Sequence, residues 1–107
     1  MTPAQFVQCF AKEKRSLLSA WRGAEATGVQ GLISEMKLSP SQERQMRKVL
    51  DAALTDAFYT ILLGLDGAAS IGGRQLSYQL ADDKGHLLTG SGEIEAEAYE
   101  AFHGGSQ

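Results

Sequence analysis

The stretch SPSQERQMRKVLDAALTDAFYTILLG, Ser39 to Gly64, constrains this chain more than any other. Met46, Val49, Leu50, Ala53, Leu54, Ala57, Phe58, Ile61 and Leu62 recur at three- and four-residue steps, the period of an amphipathic helix. Ser39-Pro40-Ser41-Gln42 ahead of them supplies a capping hydroxyl, a proline pre-set for the first turn and a Gln able to reach back to the cap. The helix so defined runs for about 24 residues, roughly 36 Å, so it can span a small domain as its central beam. Gly64 is placed to stop it. Toward that end Tyr59, Thr60 and Leu63 widen the stripe until nearly every side is apolar, which predicts burial all round, by the fold or by a partner.

The other elements are arranged around this beam. Thr2-Pro3-Ala4-Gln5 repeats the capping grammar and opens a first helix whose Phe6, Phe10, Leu17, Leu18 and Trp21 share a face, ending near Gly23. Val29, Leu32, Ile33 and Met36 predict a second helix of about two turns. Beyond Gly64, Gln75 to Ala81 alternates Leu76, Tyr78 and Leu80 with polar residues, Asp82-Asp83-Lys84-Gly85 reads as a turn, and HLLTG as a returning strand. The spacing predicts a β-hairpin, with a third strand supplied by Ala68 to Ile71 or by another chain. GEIEAEAYEAFHGG then predicts a short acidic helix, although Ile94 and Ala96 also satisfy the alternation of a strand. The expected fold is one α+β domain over residues 1–107: three N-terminal helices with a long central one, a β-hairpin and a short C-terminal helix.

Composition narrows the class of function. The apolar fraction of 43% and charged fraction of 21% fit a globular domain. The longest apolar run, Ile61 to Leu63, is far short of a membrane span. A lone Cys9, and an N-terminus MTPAQFVQCFAKEKR without the pattern of a secretory signal, suit a reducing cytoplasm. The net charge of -3 conceals an asymmetry: residues 1–50 carry eight Lys/Arg against four Glu, and residues 51–107 two against nine Asp/Glu. That split suits a cationic protein partner on the acidic side and argues against nucleic acid, which wants a coherent basic face.

Chemistry finds little support. Cys9, His86 and His103 give neither a nucleophilic pair nor a metal-ligand spacing, so no catalytic residue, metal or cofactor is expected. Cys9 reads as a helix-packed thiol and His103 as a favourable charge at a helix end. GLDGAASIGGR, Gly64 to Arg74, lacks the Lys-Ser/Thr of a phosphate loop, and its glycines follow a helix where a dinucleotide fold needs a strand. It reads as a helix exit and strand entry, with Asp66, Gly67, Ser70, Gly72, Gly73 and Arg74 the residues of a ligand loop if one exists. Asp66 there suits either a cap or a general base. The candidate partner surface is Glu93, Glu95, Glu97, Glu100 and Tyr99, with Asp82 and Asp83 of the turn; Trp21, Tyr59 and Tyr78 are further aromatic candidates.

FYTILLGLDGAASIGG, YQLADDKGHLL and IEAEAYEAFHG, within residues 58–104, together resemble small uncharacterised bacterial proteins of the type encoded beside toxins as immunity factors. The resemblance carries no catalytic motif and transfers no functional residue. It implies a bacterial cytosolic helper that binds a protein, such as a basic toxin domain, and blocks it. The alternatives are a homodimeric adaptor, paired through the over-apolar end of the third helix or the hairpin edge, and a small-ligand protein using the Gly64–Arg74 loop.

Overall fold

A computed structural model describes residues 1–22 and 28–104. Four helices follow in order: α1 (Pro3–Ala20), α2 (Gly28–Glu35), α3 (Pro40–Leu65) and α4 (Glu93–His103). Thr2 and Ser39 cap α1 and α3 through their hydroxyls, and Gln5 and Gln42 return the bond to the cap amides. These boxes satisfy amide donors that the first helical turn otherwise leaves open. The end predicted for the first helix, near Gly23, lies outside the described residues. α3 continues one residue past Gly64, and Asp66 forms its C-cap.

The core lies where α1, α3 and α4 meet. Val7 and Ala11 of α1, Leu62 of α3, and Ile94, Ala98 and Phe102 of α4 are buried there with Leu88 from the preceding loop. Phe6, Phe10, Phe58 and Phe102 form an edge-to-face chain that runs from α1 across α3 to α4, with successive centroids 5.2, 5.5 and 6.5 Å apart. That geometry directs positive ring edges at negative faces and fixes the three helices sideways. Lys14 lays its stem along the same junction: its Nζ lies 5.5 Å from the Phe102 ring centroid and donates to Asp51 and Thr55 on α3, each at 3.1 Å.

The expected α+β class is overturned, because the only regular elements among the described residues are four helices, with isolated bridges and no sheet. The turn at residues 82–85 forms, with Gly85 at φ +84° and its amide bonded to the Asp82 carbonyl. Its arms then meet in a single bridge, Ala81 to Leu87. Leu88 N donates to Leu80 O, but the next rung is taken by the buried Thr89 side chain, which accepts from Leu80 N and donates to Tyr78 O. A hydroxyl that stands in for a carbonyl ends the ladder, and Gly90 and Gly92, both at positive φ, turn the chain into α4. The third strand is also absent. Ile71 pairs only with Arg74, across a tight turn whose central Gly72 and Gly73 have φ of +62° and +82°, values that favour glycine. Residues 93–96, readable as strand or helix, are helix.

The molecule is long, 46 × 29 × 26 Å, with a radius of gyration of 16.2 Å where a chain of this length typically has about 13 Å. Its accessible surface is 7104 Å², against about 5,800 Å² for a monomer of 11.5 kDa. The excess is apolar in part: Leu32, Met36, Val49, Ile61, Leu76, Leu87 and Tyr99 are all more than a third exposed. The C-terminal end of α3 is therefore not enclosed all round, since Leu62 and Gly64 are buried while Thr60 and Ile61 face outward. Cys9, expected to pack, is also exposed. No described helix is long and apolar enough to cross a membrane.

Candidate functional site

The acidic helix α4 is held from both ends and from beneath. Its N-cap, Gly92, has no side chain to satisfy the first-turn amides; the Ser91 hydroxyl accepts from Glu93 N at 3.2 Å, and Asp66 reaches the Glu95 amide from across the fold. Asp66 Oδ1 accepts from Gly90 N at 2.7 Å and Oδ2 from Glu95 N at 3.1 Å, so one carboxylate ties the end of α3 to the start of α4. A negative group at a helix N-terminus is also favoured by the aligned peptide dipoles. Both oxygens of Asp66 are thereby engaged in structure rather than aimed at a reacting atom.

With Ile94, Ala98 and Phe102 turned into the core, the other side of α4 faces out. Glu93, Glu95 and Glu100 are exposed there, and Glu97 is half-buried. Tyr99 is 53% exposed, and its ring lies 6.1 Å from that of His103, which in turn meets Tyr59 of α3 edge-on at 4.5 Å. The result is an aromatic step at the C-terminal end of α4, with His103 in its last turn and carboxylates along the rest of the helix.

Asp82, grouped with these acids from the sequence, is spent elsewhere. Its carboxylate accepts from the Met1 ammonium at 2.7 Å and from the Lys84 and His86 amides at 2.9 Å each, and His86 Nδ1 lies 2.9 Å from it. The Met1 ammonium, then the His86 ring and amide, hold this carboxyl well below the usual carboxylate range. Its side chain is only 12% exposed, so it offers little to a partner, whereas Asp83 beside it is exposed.

The loop candidates do not converge on a ligand. Asp66 is a cap, the Gly67 carbonyl accepts from the Gln75 side chain at 2.9 Å, and Gly72 and Gly73 form the turn between Ile71 and Arg74. Ser70 and Arg74 are exposed. Gly64 has a packing role: the Ile71 side chain lies over it, in the space a Cβ would need. Among the described residues no group of three or more His, Cys, Asp or Glu is placed to hold a metal ion.

Two features escaped the sequence. A small cleft between the end of α1, α2 and the first half of α3 is lined by Trp21, Gln30, Ile33, Met46, Arg47 and Leu50, among others; it joins residues distant in sequence, so spacing does not reveal it. The second is the outward face of α3, whose apolar positions periodicity did mark without separating those that meet α1 and α4 from those that do not. No family model matches the chain, and no curated protein or solved structure matches it either.

Proposed function

We propose that this chain is a non-enzymatic protein-binding module that takes a basic partner on the outer face of α4, in the manner of an immunity or antitoxin-type inhibitor. The observation that carries this reading is Tyr99, half out of the surface, braced by His103 and set on a helix that bears Glu93, Glu95 and Glu100 outward. A braced aromatic loses little entropy on binding, and surrounding carboxylates steer a cationic surface toward it. A helix buried on its inner side and tied at its N-terminus by Asp66 presents these groups without having to order first. The acidic half of the sequence and its resemblance to immunity-type proteins agree with this assignment. A cytosolic setting, in which the exposed Cys9 stays reduced, belongs to the same reading.

The test is capture of partners from the cells that make the protein, run in parallel with the wild type and with the triple variant Glu95→Lys, Tyr99→Ala, Glu100→Lys. The expected outcome is one basic protein retained stoichiometrically by the wild type and lost by the variant. Purified, that partner should bind with a dissociation constant that rises steeply with salt. Equal retention by both proteins would remove α4 from the binding face.

A further inference from the structure

The α4 reading leaves the basic first half of the chain unused, and part of that charge gathers where the end of α1 meets the first half of α3. Arg15, Arg22 and Arg47 line one groove of about 280 Å³ there, with Leu18, Ser19 and Asp51. Asp51 is already bound to Lys14 at 3.1 Å. Among the described residues, none of the three guanidinium groups meets a carboxylate. Arg22 and Arg47 also line the smaller cleft between α1, α2 and α3, so the two spaces share a wall.

The cleft is built differently from the groove. Its volume of about 70 Å³ has room for roughly five waters, and Trp21, Ile33, Met46 and Leu50 give it apolar walls. Its polar groups besides the shared arginines are the Glu43 carboxylate and Gln30, whose Nε2 donates to Ser34 Oγ at 3.3 Å while its Oε1 is buried with no donor. An acceptor buried unmade is costly, so this one points to a donor from outside the chain. A water would serve Gln30 but would leave three cations unanswered.

We propose that cleft and groove together form a binding site for a nucleoside monophosphate, with the base in the cleft and the phosphate in the groove. It goes beyond the α4 reading and shares no residue with it. Charge favours this class over a simple carboxylate: a phosphate monoester carries close to two negative charges at neutral pH, and guanidinium forks pair with its oxygens bidentately. A base supplies a flat body for walls that include an indole, and N–H donors on its edge for Gln30 Oε1 and Glu43. The free acceptors belong to the cleft and Arg15 to the groove, with Arg22 and Arg47 between them. That polarity sets the base inward and the phosphate outward.

The test is calorimetric titration of the full chain with cytidine, uridine, adenosine and guanosine monophosphates and, separately, with inorganic phosphate, followed in parallel by the fluorescence of Trp21, the single tryptophan of the chain. At least one nucleotide should bind saturably, one per chain, and change the Trp21 emission, with inorganic phosphate weaker by about ten-fold or more because it has no base to stack. Arg47→Ala should raise the dissociation constant about ten-fold or more. Arg22→Ala, at an exposed position, replaces it if Arg47→Ala loses its helical circular dichroism. Glu100→Lys, on α4, should bind as the wild type does, which separates failure of this proposal from failure of the α4 reading. Neither heat nor a change in emission up to millimolar nucleotide overturns the proposal, and so does binding that the arginine variant leaves unchanged. Inorganic phosphate bound as tightly as every nucleotide overturns the place given to the base.

Discussion

α2 and α4 are both short amphipathic helices, eight and eleven residues long, and they end in opposite situations. α4 buries Ile94, Ala98 and Phe102, whereas α2 buries no residue and leaves Val29 36% and Leu32 63% exposed. Their periodicity does not tell them apart. What separates them is that α4 lies against α1 and α3 at once and is tied at its start by Asp66, while α2 brings Ile33 to a small cleft and turns its other apolar residues outward. An apolar stripe specifies burial only where the rest of the chain can supply a matching surface.

The largest test of that contrast is a pair of truncations in one urea series. Phe102→Ala removes a ring that meets Phe58 and Lys14 in the core, and should cost about 3–5 kcal/mol, much of the stability of a domain of this size. Leu32→Ala should cost no more than about 0.5 kcal/mol, because most of that side chain is already in water. Equal losses would break the comparison and show that α2 is packed in solution.

A smaller effect is expected at the tie itself. Asp66→Ala leaves the Gly90 and Glu95 amides without their acceptor and takes a negative group from the α4 N-terminus, at about 1–2 kcal/mol. Amide hydrogen exchange would sharpen the assignment: protection should fall first in the opening turn of α4, with α1 retaining its own. A loss spread evenly over both helices would mean that Asp66 does not act as a local cap.

Legibility in the sequence followed the range of the interactions. The caps of α1 and α3 were readable because Thr2 and Gln5, or Ser39 and Gln42, lie within one turn of each other. The hairpin was misread because Leu76, Tyr78 and Leu80 alternate as a strand does, yet alternation says nothing about a neighbour able to continue the ladder. Leu76 is 47% exposed, and Thr89 takes the rung where pairing would have extended. The acidic helix was visible, but its anchor was not: Asp66 reaches an amide 29 residues away, a separation to which no local pattern is sensitive. Among the site candidates, sequence placed Asp82 with the free acids because Asp82-Asp83-Lys84-Gly85 reads as a turn, and only the fold brings Met1 onto it.

The knot around Asp82 offers the smallest effect and one with a sign. The segment it closes leads to Leu88 and α4, so its integrity bears on how firmly α4 is delivered to the core. Because the Met1 ammonium and His86 lower the affinity of this carboxyl for a proton in the folded state, its contribution is present above the ordinary carboxylate pKa of about 4. It is lost as pH falls below that value toward the depressed one. Asp82→Asn should therefore melt slightly below the wild type near neutrality, with the gap closing as the pH drops through about 4 and below. The gap should be modest, since His86 is 59% exposed and water and salt screen the pair. Thermal scans of both proteins across the acid range decide the matter: a gap that stays constant would assign the loss to the Lys84 and His86 amide bonds alone and leave the charges around Asp82 without a part in holding α4.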